Sequence, residues 1–265
     1  MSAGAQSPPK VTEPNHVAGG AVRLQVRNLF KSFSGQQVLK GINLDVKPGE
    51  IFVIMGPSGS GKTVLLKHII GLERPERGEI LIEGQPIQSA DIKDKYRMAI
   101  VFQSGALLNS LTVGENVGLY LTEHRLKSPA EIERIATQKL DFLGLKGVKD
   151  RYPSELSGGM KKRVAIARAL VIEPQLILYD EPTSELDPLM TVVIGEEILN
   201  LKKRIGVTSI VVTHEKDLAF GVADRIAMMH EGQIVALGTP DEVKRSPHPI
   251  VQGFLTAETK LHNLQ

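Results

Sequence analysis

Eight consecutive residues, Gly56-Pro57-Ser58-Gly59-Ser60-Gly61-Lys62-Thr63, fit the pattern G-x-x-x-x-G-K-[ST] without a mismatch. The glycines let the backbone turn tightly and come close to a ligand. Successive N–H groups can then converge on an anion, and the dipole of a helix that follows points its positive end at the same place. Lys62 adds a full charge for β- and γ-phosphates, and Thr63 offers a hydroxyl to Mg²⁺. The apolar run Ile51–Met55 just before the loop reads as a buried strand, and Val64–Ile70 just after it reads as a helix. Strand, loop and helix are the context that phosphate binding requires, and they point to a nucleotide without saying what the nucleotide drives.

Other residues can do chemistry beside such a loop. Leu176–Glu181 is an apolar run that ends in two carboxylates, Asp180 and Glu181. Acids at the end of a buried strand are costly unless they have a partner or a task. Asp180 suits the second shell of Mg²⁺, and Glu181 suits a base that polarises water for attack on a γ-phosphate. Thr208–His214 is another buried run, ending in His214, which is either structural or a γ-phosphate contact at the same sheet edge. Gln103 closes the strand Ile100–Gln103; its side-chain carbonyl can meet Mg²⁺ or the attacking water, or be a solvated amide. Ser157-Gly158-Gly159 opens a helix, either as an ordinary serine cap or as an anion-receiving N-terminus. Phe33, about twenty residues before the loop, is either a core aromatic or an adenine-stacking one.

The elements that position these residues follow from periodicity. Leu24–Leu29, Val38-Leu39, Ile42–Val46 and Glu79–Gly84 read as short strands around the loop. They predict an antiparallel β subdomain packed on a mixed-sheet α/β core. Phe33 falls in a turn-like stretch. Residues 104–155 switch to helical spacing, with Ser128 as cap and Pro129 at the first helical position. They predict an inserted helical subdomain, reaching about residue 175 once the helix after Ser157 is included. Met160, Val164, Ala167 and Val171 line one face of that helix, with Lys161, Lys162 and Arg163 off it. Ile226–Met229 and Gly232–Gly238 read as a hairpin, and 240–258 as a Pro-interrupted helical end. The expected organisation is a disordered N-terminal tail over 1–20, one nucleotide-binding domain over 21–245 and a C-terminal tail over 246–265.

Composition narrows the field. With 265 residues, 42% of them hydrophobic, the chain can bury a large core. A net charge of +2 is too weak and too dispersed for a nucleic-acid binder. Cysteine is absent, which excludes disulfides and thiolate metal sites. No apolar run approaches the ~18–20 residues of a membrane span, and residues 1–20 lack the apolar segment of a secretory signal. Any membrane role would come through a partner.

The phosphate loop, Gln103, Leu156–Met160, Tyr179-Asp180-Glu181, Ser184–Asp187 and His214 stand in an order and spacing that resemble the ATPase subunits of ABC transporters, over residues 22 to 240. The resemblance implies the P-loop NTPase fold of that family, with ATP and Mg²⁺ as cofactors. It implies that Phe33 stacks on adenine, that Gln103 senses Mg²⁺ and couples to a membrane partner, and that His214 is the switch histidine. It further implies that Ser157, Gly158 and Gly159 bind the γ-phosphate held by the opposite subunit, and that Asp187 crosses the dimer interface. The implied partners are a second copy of the chain and integral-membrane permease subunits whose coupling helix docks on 104–155, at the cytoplasmic face of the inner membrane. The family signature usually ends in Gln, whereas position 160 is Met. That change, with Phe102–Leu108 and Lys161–Ala165, resembles the branch that works with MCE-type lipid-binding proteins, which implies a phospholipid cargo; a nutrient importer is the alternative, and a soluble non-transport ABC ATPase the remote one.

Overall fold

The computed structural model describes residues 20–262. The expected N-terminal tail, apart from Gly20, lies outside the described residues. In chain order the elements are β1 (Leu24–Phe33), β2 (Gln36–Val46), β3 (Ile51–Met55), α1 (Lys62–Ile69), β4 (Arg77–Ile82), β5 (Gln85–Pro86), α2 (Ile92–Lys95) and β6 (Met98–Val101). There follow α3 (Val113–Glu123), α4 (Pro129–Phe142), a single 3₁₀ turn at Pro153–Glu155, α5 (Gly158–Leu170), β7 (Leu176–Asp180), α6 (Pro188–Ile205) and β8 (Thr208–Thr213). The chain ends with α7 (Lys216–Val222), β9 (Arg225–His230), β10 (Gln233–Gly238), α8 (Pro240–Lys244) and α9 (Pro249–His262).

The central sheet runs β10-β9-β3-β8-β7-β6. All its pairings are parallel except the β9–β10 hairpin at one edge. Every residue of β3, β7 and β8 is buried, which is why these strands read as unbroken apolar runs: both faces of a parallel sheet are covered. The period of two then divides the interior. Ile51, Val53 and Met55 face one core with Tyr179 and Val211, together with the inward sides of α3 to α7. Phe52 and Ile54 face a second core with Leu178, Val212 and the apolar side of the antiparallel sheet β2-β1-β4-β5. Each fully buried Leu, Ile or Phe contributes roughly 1.5–3 kcal/mol, so one strand glues two layers at once.

The two short runs expected at Val38-Leu39 and Ile42–Val46 are one strand, β2, and Phe33 is the last residue of β1 rather than part of the turn. The break in the sequence pattern has a physical source. The β1–β2 register shifts near Leu29 and Lys31, and Gly41, at φ 78°, bends β2 against the Phe30 ring. Within the stretch expected as a C-terminal tail, Pro249–His262 is helical, and Val251 is buried in the first core. The capping boxes at Thr112–Glu115 and Ser128–Glu131 fix where α3 and α4 begin.

Candidate nucleotide site

Parallel pairing brings the chemistry to one edge. Met55 is level with Thr213, Asp180 with Val212 and Val101 with Tyr179. The residues just past these ends are therefore the phosphate loop, Glu181, His214 and the Gln103 turn. Ligands of open α/β sheets bind at this carboxyl edge.

The loop is held close to the sheet. A Cβ on Gly56 would lie 2.1 Å from the Met229 carbonyl oxygen, so no side chain fits there. Gly61, at φ 103°, caps α1 without any side-chain hydrogen bond, which leaves the N–H groups of the first turn for a ligand. Ser60 is buried, and its Oγ has no protein partner. Lys62 folds back along the loop, and its Nζ donates to the carbonyls of Gly56 at 2.8 Å and Pro57 at 3.0 Å. Glu181 Oε1 is 3.7 Å from the same Nζ, a Coulombic contact rather than a hydrogen bond. Burial holds the Lys62 ammonium below the ordinary lysine range, against the pull of Glu181. Ser58 and Gly59 are exposed and Pro57 half-buried.

Asp180 and Glu181 divide between two neighbours. Thr63 Oγ1 donates to Asp180 Oδ1 at 2.9 Å. Burial pushes the Asp180 carboxyl above the usual aspartate range, and this bond offsets part of the rise. Glu181 sits just beyond β7 at φ 47°, a left-handed conformation that costs a non-glycine residue roughly 1–2 kcal/mol. Its Oε2 accepts the His214 backbone N–H at 3.2 Å and His214 Nδ1 at 2.9 Å. An ionised carboxylate only accepts, so Nδ1 carries the hydrogen in this contact.

The other expected residues lie around this centre. Gln103 is exposed, two residues beyond β6 rather than at its last position. Phe33 is 42% exposed at the tip of the β1–β2 hairpin, with Lys31 Nζ 5.0 Å from its ring centroid. Asp187 is exposed and caps α6, its Oδ1 accepting from Met190 N at 2.9 Å. Ser157 caps α5, accepting from Met160 N at 3.3 Å; Ser157 and Gly158 are exposed. Gly159 is buried, and a Cβ there would come within 2.8 Å of Met190 Sδ. Among the described residues no hydrogen bond or ion pair joins Ser157–Gly159 to the phosphate loop. The Met160 side chain packs against the first core, which accounts for an apolar residue at that position. Sequence reasoning set Lys162 aside as part of a basic run, but it is buried and donates to the Gln103 carbonyl and to Ser184 Oγ.

The donor set fits a nucleotide with Mg²⁺. An uncapped helix start, an orphaned buried hydroxyl and a lysine turned into the loop suit a polyphosphate. Thr63 and Asp180 offer the oxygen ligands that Mg²⁺ prefers. No group of three or more His, Cys, Asp or Glu side chains forms a metal site among the described residues, so a cation here would share its shell with phosphate oxygens and water.

A profile described as "ABC transporter" matches residues 39–184. The chain belongs to the ABC transporter family. It is an ATPase cassette of that family, binding ATP with Mg²⁺. It is 40% identical over 238 residues to a probable ribonucleotide transport ATP-binding protein of Mycobacterium leprae, covering 88% of this chain and 69% of that one. It is 41% identical to the chloroplastic protein trigalactosyldiacylglycerol 3 of Arabidopsis thaliana, covering 89% and 74%. With a spermidine/putrescine import ATP-binding protein of Thermotoga maritima it shares 43% identity, covering 92% and 65%. The fold matches a dimeric ATP-binding cassette with ADP and phosphate bound, at TM-score 0.74 and 33% identity, over 82% of this chain and 98% of that one.

Proposed function

We propose that two copies of this cassette close head-to-tail, each gripping ATP at its own Gly56–Thr63 loop and covering the other's γ-phosphate with Ser157, Gly158 and Gly159. One observation carries this reading. The carboxyl edge assembles Lys62, Thr63, Asp180, Glu181 and His214 within one chain, whereas Ser157 and Gly158 stand exposed and unconnected to them. A two-fold pairing brings the missing element from the second copy.

In this reading Phe33 stacks on the adenine, the loop N–H groups and Lys62 hold the phosphates, and Thr63, Asp180 and Gln103 hold Mg²⁺. Mg²⁺ supplies charge neutralisation at the phosphate oxygens. Glu181, fixed by the His214 N–H groups, takes a proton from water as its oxygen bonds to the γ-phosphorus. The bond to the β–γ bridging oxygen breaks, and ADP and phosphate leave. His214 and Lys62 stabilise the charge that develops. Asp187, exposed at the start of α6, faces the pairing surface.

The cassette would power permease subunits that dock on the helical insertion around α3 and α4, at the cytoplasmic face of the inner membrane. No helix among the described residues is long and apolar enough to cross a membrane, so attachment would be peripheral. We assign a phospholipid cargo handled with an MCE-type lipid-binding protein. Its supports are Met160, the Phe102–Leu108 stretch and a relative named for a galactolipid. The similarity to a polyamine importer's ATPase favours the second reading, a nutrient importer. Purification from membranes separates them: an MCE protein should accompany the lipid system and a solute-binding protein the importer. Composite catalysis is tested with Glu181→Gln, which should bind ATP and accumulate as a dimer; a variant that hydrolyses ATP at the wild-type rate overturns the assignment.

A further inference from the structure

Lys162 sits between Lys161 and Arg163, both half-buried, yet it is itself buried. Its Nζ donates to the backbone carbonyl of Gln103 and to Ser184 Oγ at 3.3 Å. Further along the same helix, Arg168 Nη1 donates to the Ala106 carbonyl at 2.6 Å and Nη2 to the Gly105 carbonyl at 2.7 Å. The helix α5 thus grips the 103–106 turn by two cations. The turn needs gripping: Gly105 has φ 72° and Ala106 φ 46°, the latter a left-handed residue with a side chain. The turn lies against the helix, where a Cβ on Gly105 would meet Ala165 Cβ at an ordinary contact distance of 3.6 Å.

The second partner leads to the other side of the site. Ser184 donates its N–H to the Glu181 carbonyl at 3.1 Å, in the turn that holds Glu181 in its left-handed conformation. The groups that meet Lys162 are carbonyl and hydroxyl oxygens, and an ammonium answers them with three donors and no acceptor. Burial holds the Lys162 ammonium below the ordinary lysine range, against the pull of Glu185, Glu215 and Glu181.

We propose that Lys162, assisted by Arg168, is a positioning residue for hydrolysis: it ties the Gln103 turn and the turn behind Glu181 to the helix that presents Ser157. This rests on the roles given above to Gln103, Glu181 and Ser157. Lys162 contacts a backbone carbonyl and a serine hydroxyl behind the site rather than the phosphate loop, so its loss should disturb turnover and leave nucleotide affinity intact.

The test compares wild type, Lys162→Met, Lys162→Arg and Ser184→Ala in the full chain. The readouts are affinity for a fluorescent ATP analogue, kcat, KM and the Mg²⁺ concentration giving half-maximal hydrolysis. Lys162→Met should keep the analogue's affinity within about twofold and lower kcat by ~10–100-fold, the scale of a misplacement near 1 Å. It should also need more Mg²⁺. Lys162→Arg should recover most of kcat, and Ser184→Ala should show the same pattern more weakly. Should Lys162→Met not fold, Arg168→Gln and Ser184→Ala carry the test, with lowered kcat at unchanged affinity expected. Wild-type kcat and Mg²⁺ dependence in these variants would overturn the proposal. So would a parallel loss of ATP affinity, or an arginine variant as impaired as methionine. Failure of the underlying reading shows up separately, as a Glu181→Gln variant that still turns over.

Discussion

At Lys62 the polar atoms answer to partners within the same chain: Nζ to two loop carbonyls and Glu181, Thr63 to Asp180, and Glu181 to both N–H groups of His214. At Ser157 the hydroxyl accepts, among the described residues, only an N–H of its own helix, and the glycine beside it faces outward. The first region is closed on itself and the second is open. A buried centre with paired charges is rigid enough to grip and to orient water. An exposed helix start with two glycines is free to be pressed against a second surface. In the proposed reading the first region does the chemistry and the second sets its timing.

The largest effect should come from the closed region. Glu181→Gln removes the base while keeping the shape, and hydrolysis should fall ~10²–10⁴-fold in a steady-state ATPase assay. ATP affinity should hold, because Glu181 contributes no donor to the phosphates. Lys62→Ala should act on binding instead: losing one or two charge-assisted hydrogen bonds of ~1.5–3 kcal/mol each lowers affinity by at least tenfold in a titration.

Ser157→Asp sharpens the comparison. Aspartate caps a helix as well as serine does, so the melting temperature should stay within a few degrees of wild type. It also carries a negative charge toward any phosphate placed there, so hydrolysis should be lost. A variant that melted early while keeping its activity would make Ser157 a cap and nothing more.

The smallest effect concerns Asp180. Burial raises its pKa in the folded protein, so the native carboxylate is less favourable than the unfolded one. That cost appears as pH rises from the unfolded value through the folded one, and it is fully present at neutral pH. Asp180→Asn should therefore raise the melting temperature at pH 7 without added nucleotide, and the gap should close as pH falls below the aspartate range. Thermal melts across pH check this.

Much of the closed region was legible in the sequence, because its signals are local. Ile51–Met55 and Leu176–Asp180 announce buried strands, and the residues just past them must lie at the sheet's carboxyl edge. The pairing of His214 with Glu181 was not legible: it depends on β7 and β8 being neighbours, which no periodicity states. The contacts of Lys162 were not legible for a similar reason. A basic run on a helix looks solvated, and its partners come from 59 and 22 residues away. The single strand β2 was hidden by the bend at Gly41, which interrupts the alternation that marks a strand.

The absence of cysteine permits a direct test of the shared site. Ser58→Cys and Ser157→Cys are placed in separate copies, both with Glu181→Gln, and mixed with a short bis-maleimide. The account predicts a covalent dimer that forms only in the mixture and only when ATP is added. Cross-linking that ignores ATP, or none at all while ATP is bound, would contradict it.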